Sequence, residues 1–316
     1  MQDTNETLRP GPLHGAALPR WKVWLLASRP ATLTAALAPV AVGGALTWRE
    51  GQYAALPWLA ALLGALLIQL GTNYANDVFD YEKGADTAAR KGPLRVTQAG
   101  LVSPAAVKRA MWMAFFGAVL CGTYLVWLHG WPLVVLGLAS VASGIAYTGG
   151  PYPLGYLGLG DLFVFAFFGV AAVVGTVFVQ TGLVMPDAWL WSLPVGATCT
   201  AILVVNNLRD AETDVLVGKR TLAVRFGVGF VRGEYVLLWL LAFAVPVAMA
   251  VRDRSPWPAL PCLLIPLVAR VTRVVLRHSD GPTLNAALAT TAKLHLFSGI
   301  LAALGLLLQG LQSGHG

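Results

Sequence analysis

An all-helical integral membrane bundle is the fold class that this sequence predicts, and three observations lead to it. The 316 residues are 57% hydrophobic and only 12% charged, with a mean hydropathy of +0.67, far from the balance of a soluble domain. The apolar residues form long unbroken runs, without the alternation that a membrane barrel requires. The cations fall in alternate connecting segments: of 22 lysines and arginines, only Arg49, Arg252 and Arg254 lie on the other side.

A spanning helix needs roughly 20 mostly apolar residues, and nine windows provide them: 31–48, 56–76, 110–128, 131–147, 161–181, 188–207, 234–251, 256–276 and 292–311. Between Arg109 and Arg209 the only charged side chains are Asp161 and Asp187. The eighth window contains Pro256, Pro258, Pro261 and Pro266, so kinked or frayed ends are expected there. Trp21, Trp48, Trp127, Trp131, Trp189 and Trp191 fall near window ends, as an interfacial aromatic belt predicts. Cys121, Cys199 and Cys262 lie in separate apolar windows without metal-ligand spacing, and a structural role is expected of them. The first 20 residues are polar and lack a signal-peptide core. The expected organisation is a polar tail (1–20), one membrane domain (21–311) and a short C-terminal tail (312–316), with the N-terminus cytoplasmic.

Two segments interrupt this apolar background, NYANDVFDYEKGAD from Asn73 to Asp86 and NNLRDAETDVLVGKRT from Asn206 to Thr221. They hold seven of the chain's 15 acidic residues, and the offset of 133 that relates Asn73 to Asn206 also relates Asp77 to Asp210. Asn73, Asp77 and Asp80 share helical spacing, as do Asn206, Asp210 and Asp214, so each set is expected on one helix face. Four windows separate the clusters, an even number, which places both on the same membrane side. The cation distribution makes that side cytoplasmic.

Carboxylates at membrane-embedded helix ends require partners, and seven of them would repel one another. Divalent cations remove both problems. Mg²⁺ takes oxygen ligands and typically binds one or two carboxylates plus substrate phosphates. Arg90, Lys91, Arg95, Lys219 and Arg220 supply the cations that a diphosphate needs. The net charge of +7 follows from the topology bias and calls for no nucleic acid. It suits membrane lipid head groups and an anionic substrate instead. The glycine-rich segment YTGGPYPLGYLGLGD, Tyr147 to Asp161, cannot continue a helix and is expected as a loop on the same side. A secondary transporter with buried carboxylates is the rival reading, although its ionisable groups would be expected near the bilayer midplane.

NDVFD with a further Asp, followed later by NNLRDAETDVLVGKRTLAVRFG, resembles the UbiA-type superfamily of intramembrane aromatic prenyltransferases. Arg29-Pro30, RKGPLRVTQAG (90–100), YTGGPYPLGYLGLGD and GKRT (218–221) resemble its 1,4-dihydroxy-2-naphthoate polyprenyltransferase branch. The resemblance implies about nine transmembrane helices, Mg²⁺, and transfer of a polyprenyl chain from polyprenyl diphosphate to the ring of dihydroxynaphthoate. Loss of CO₂ and diphosphate would give demethylmenaquinone. Hydroxybenzoate or homogentisate is the alternative acceptor. On this sequence Asp77, Asp80, Asp86, Asp210 and Asp214 would hold two or more Mg²⁺ ions, with Asn76 and Asn207 in support. Asn73, Asn206, Arg29, Arg90, Lys91, Arg95, Lys219 and Arg220 would bind the diphosphate. Tyr147 would stabilise the allylic cation, and Gln98, Tyr152 and Tyr156 would face the acceptor. No sequence signal fixes the oligomeric state.

Overall fold

A computed structural model describes residues 18–85, 92, 94–312 and 314. The described residues form helices and connecting turns, with no strand among them. In order the helices are α1 (Arg20–Ser28), α2 (Pro30–Arg49), α3 (Ala55–Glu82), α4 (Pro104–His129) and α5 (Pro132–Ala146). They continue with α6 (Gly160–Val164), a π-helical segment (Phe165–Ala171), α7 (Ala172–Thr181), α8 (Pro186–Leu216) and α9 (Leu222–Arg252). A 3₁₀ segment (Trp257–Leu264), α10 (Ile265–Arg277) and α11 (Gly281–Gln312) complete the chain.

All nine apolar windows are helical. Eight helices among the described residues are long and apolar enough to cross a membrane, counting α6 to α7 as one span and the 3₁₀ segment with α10 as another. The remaining window, 131–147, is α5, whose 15 residues extend only ~22 Å at 1.5 Å per residue. The protein is thus a multi-pass integral membrane protein. The prolines of the eighth window tighten its first half into the 3₁₀ segment, the kink expected there.

Local sequence sets the helix ends. Pro30, Pro104, Pro132 and Pro186 open their helices at the first position, where the missing N–H costs nothing. The Ser103 hydroxyl accepts the Ala106 N–H at 3.4 Å to cap α4. Small residues allow close packing: a Cβ added at Gly169 of the π-helical segment would sit 2.6 Å from the Gly196 Cα of α8. At the end of the bundle remote from the acidic clusters, Asp187 of α8 pairs with Arg49 of α2 at 2.6 Å and Arg252 of α9 at 2.6 Å. Trp127 and Trp131 are exposed at helix ends, as a belt requires, but Trp191 is fully buried. It packs among Val42, Val177 and Leu306, because α8 runs through the centre of the bundle and presents that position inward.

Candidate active site

Helices α3 and α8 run beyond their apolar windows and carry the acidic clusters at their C-terminal ends. The two ends meet. Asp80 Oδ1 lies 3.8 Å from Lys219 Nζ in the turn after α8, and accepts the Tyr156 hydroxyl at 2.9 Å from the glycine-rich loop. The Arg220 N–H donates to the Tyr156 carbonyl at 2.8 Å. Lys83, just past α3, donates to the carbonyls of Thr148 (2.7 Å) and Gly150 (3.0 Å). Its ammonium lies 5.1 Å from the Tyr156 ring centre, and that of Lys219 lies 4.9 Å away. Tyr156 therefore joins both clusters through a hydrogen bond and two cation–π contacts. Burial holds the Lys83 pKa below its ordinary value; Asp80 opposes that shift and Lys219 reinforces it.

Below this junction lies a cavity of about 460 Å³. Its polar mouth is lined by Arg29, Asn73, Asn76, Asp80, Arg95, Asn206, Asn207, Asp210, Asp214 and Lys219. Its walls are apolar and rich in small residues, among them Gly64, Ala118, Gly122, Gly137 and Gly175, with Tyr147, Phe163, Phe167 and Phe168 as the aromatic part. From Asp80 to Ala61, both on the lining, α3 rises through 19 residue steps, or ~28 Å at 1.5 Å per step. That is close to the hydrocarbon thickness of a bilayer.

Several of the mouth residues are held in place by named contacts. Arg29 sits at the corner between α1 and α2 with a left-handed backbone (φ 48°), costly for a residue other than glycine. The Asn73 amide anchors that corner by donating to the Ser28 carbonyl (2.9 Å) and the Thr32 hydroxyl (2.8 Å). The Asn76 side-chain oxygen accepts the Thr148 hydroxyl at 2.9 Å. Arg95 is buried, with one amino group on Asp80 Oδ2 at 2.7 Å and the other on the Asn76 carbonyl. In the second cluster Arg209 is fully buried and grips Asp210 with two bonds of 2.8 and 2.5 Å. It also donates to the side-chain oxygens of Asn206 (2.9 Å) and Asn285 (2.8 Å).

Of the residues expected at the site, Asp86, Arg90 and Lys91 lie outside the described residues. The cavity does not receive four others. The Asp77 carboxylate accepts the backbone N–H groups of Val96 (3.2 Å) and Thr97 (3.1 Å) and lies away from the lining. Tyr152 is 75% exposed on the outer side of its loop. Arg220 is exposed, and its carbonyl accepts the Arg225 guanidinium at 3.0 Å. Gln98 is half-buried in the turn after Arg95, outside the lining. Three residues not assigned from sequence belong to the site's support: Arg209, Lys83 and Asp161. The Asp161 carboxylate is buried at the start of α6, 3.5 Å from the Asn207 amide, with no hydrogen-bond partner for its second oxygen among the described residues. Its signal was its isolation in a stretch with only two charges.

The mouth is a set of hard oxygen donors, the type that Mg²⁺ selects. Among the described residues no three His, Cys, Asp or Glu side chains converge closely enough to hold an ion in the arrangement shown. Arg95, Tyr156 and Lys219 occupy Asp80, and Arg209 occupies Asp210. Asp214 is buried on the lining without a hydrogen bond or ion pair to its carboxylate among the described residues. A buried carboxylate in that state calls for a cation, and the donor set fits a divalent one.

Fold and site together define a class: a helical membrane protein whose polar mouth of carboxylates, amides and cations opens onto an apolar, bilayer-deep cavity. Residues 36–299 match the UbiA prenyltransferase family, and the chain belongs to that family. It is 36% identical over 297 residues to the 1,4-dihydroxy-2-naphthoate octaprenyltransferase of Escherichia coli K12, covering 92% of this chain and 96% of the relative. The enzyme of the same name from Bacillus subtilis 168 is 31% identical over 290 residues, covering 90% and 92%. Among solved structures, a UbiA homologue from Archaeoglobus fulgidus bound to GPP and Mg²⁺ superposes with a TM-score of 0.59, covering 89% of this chain and 99% of that one. At 13% identity this likeness concerns the fold.

Proposed function

We propose that this protein transfers a polyprenyl group from polyprenyl diphosphate to 1,4-dihydroxy-2-naphthoate, releasing diphosphate and CO₂, as a step of menaquinone biosynthesis. One observation carries the reading: both acidic clusters, with Arg95, Lys219 and Arg29, meet at the mouth of an apolar cavity deep enough for a hydrocarbon chain. The naphthoate octaprenyltransferases at 31–36% identity support the acceptor. The homologue bound to GPP and Mg²⁺ supports the metal.

Asp80, Asp210 and Asp214, with Asn76 and Asn207, are the residues that would hold Mg²⁺, and Asp86 joins them from the sequence. When bound, the ion supplies charge neutralisation on the departing diphosphate. The chain's own residues do the rest. Arg95, Lys219 and Arg29 bind and orient the diphosphate through charge-assisted hydrogen bonds. As the allylic C–O bond breaks, the positive carbon faces Tyr147 and the phenylalanines of the π-helical segment, whose rings stabilise a desolvated cation by roughly 2 kcal/mol or more. The apolar walls exclude the water that would otherwise capture it. The electron-rich ring forms the new C–C bond at its carboxylated carbon. The C–CO₂⁻ bond then breaks, and its electron pair restores aromaticity without a carbon base. The immediate product is the naphthoquinol, the reduced form of demethylmenaquinone; its oxidation to the quinone requires a separate two-electron acceptor and is no part of this transfer. The cation distribution supports a site that faces the cytoplasm from the cytoplasmic membrane.

An acceptor panel tests the branch. Purified protein is expected to prenylate dihydroxynaphthoate; turnover with hydroxybenzoate or homogentisate and none with dihydroxynaphthoate would refute the assignment.

A further inference from the structure

The two aspartates of the NDVFD motif have different jobs. We infer that Asp77 is no metal ligand but a clamp: its carboxylate fixes the 95–100 turn, and through that turn it positions Arg95 over the diphosphate site. The inference rests on the reading above for the identity of the anion, but its geometry is independent of it.

Asp77 is 1% exposed, on the side of α3 that faces the turn. Its Oδ2 accepts the Val96 N–H at 3.2 Å and its Oδ1 the Thr97 N–H at 3.1 Å. Val96 is completely buried and packs among Tyr74, Val78, Val107 and Met111, so the turn is seated by one apolar plug and one carboxylate. The turn closes on itself through Ala99 N–H to the Arg95 carbonyl (3.0 Å) and Leu101 N–H to the Val96 carbonyl (3.0 Å). Arg95, the residue next to the clamped pair, thereby reaches Asp80 and the Asn76 carbonyl at the cavity mouth. For Asp77 to ligate an ion at the cavity mouth its carboxylate would have to swing away from the turn, releasing two backbone donors in a region where Val96 and Thr97 are 0% and 3% exposed. Buried N–H groups are almost never left unpaired, and bonds to a charged acceptor are the stronger kind. The same displacement would free the turn that carries Arg95, weakening the anion site while trying to build the metal site.

Amide hydrogen exchange on the full chain in detergent, resolved to residues 94–102, tests this without turnover. In the wild-type protein, Mg²⁺ with inorganic diphosphate is expected to leave the Val96 and Thr97 amides as protected as before, or more so. A tenfold or greater loss of protection on adding the ion would show the carboxylate leaving its clamp and overturn the inference. In Asp77→Asn, exchange of the same amides is expected to rise by about tenfold or more. The KM for prenyl diphosphate should rise by a similar factor, with half-saturation by Mg²⁺ moved less than about twofold. A shift in Mg²⁺ half-saturation as large as that of Asp80→Asn would assign Asp77 to the metal instead. If the protein shows no prenyl transfer at all, the exchange arms still decide the clamp while the proposed function falls. The wild-type arm decides it even if Asp77→Asn cannot be purified folded.

Discussion

Replacing Arg209 by methionine tests how the second cluster is built. The guanidinium has no solvent exposure and makes four hydrogen bonds, two to Asp210 and one each to Asn206 and Asn285. Breaking a buried pair by removing one partner costs about 3–5 kcal/mol, because the remaining charge is stranded. Asp210 retains 13% side-chain exposure at the cavity mouth, where water can take over part of the solvation. The expected cost therefore falls just below that range, at about 2–3 kcal/mol. For a chain of this size that is roughly 4–8 °C in the thermal midpoint. Methionine keeps most of the volume, so no large cavity adds to the loss. Differential scanning fluorimetry in detergent reads the midpoint. A divalent cation can replace the lost positive charge on Asp210, so saturating Mg²⁺ with inorganic diphosphate should raise the midpoint more in Arg209→Met than in the wild type. A midpoint lowered by less than about 1 °C would refute the buried-pair reasoning. An equal response to Mg²⁺ in both proteins would remove Asp210 from the metal site.

Three further expectations follow from the same geometry. Asp80→Asn and Asp214→Asn should each lower kcat by at least about 100-fold while the protein elutes as a single symmetrical peak in detergent; near-normal turnover of either would remove that residue from the site. Tyr156→Phe loses the bond to Asp80 but keeps the ring between Lys83 and Lys219, so KM for prenyl diphosphate should rise by about tenfold, whereas an unchanged KM would make the hydroxyl dispensable. Gly137 lines the cavity wall with nothing within 4 Å of an added Cβ, so Gly137→Phe should fill the lower cavity and shift preference towards short prenyl diphosphates, read as the kcat/KM ratio of geranyl to longer substrates.

Hydropathy was enough to find every span, because a bilayer-crossing helix must be apolar along its length. It stopped short at the functional ends. The windows end at residues 76 and 207, yet α3 and α8 continue to Glu82 and Leu216, since a window of apolar residues registers the buried wall and not the polar turns beyond it. Periodicity put Asn73, Asp77 and Asp80 on one helix face; Asn73 and Asp80 line the cavity with Asn76, whereas Asp77 is taken up by the 95–100 turn, which local sequence pattern does not reveal. Arg209 read as one more topological cation, and only tertiary packing against Asn285 of α11 reveals it as an internal counter-ion. Trp191 misled for a related reason, its window-end position hiding the inward face of a central helix. The glycine-rich loop was legible as a loop, but its role as the joint between the clusters depends on the single contact set of Tyr156.

If the paired clusters form one Mg²⁺-dependent site for prenyl transfer, activity must depend on the ion and on both substrates. Purified protein in liposomes, given labelled polyprenyl diphosphate and 1,4-dihydroxy-2-naphthoate, should form a lipid-soluble naphthoquinol with one CO₂ released per product. EDTA should abolish the reaction and excess Mg²⁺ restore it. Product formation that is unaffected by EDTA, or no prenylated product with any aromatic acceptor, would contradict a metal-dependent prenyl transfer at the paired clusters.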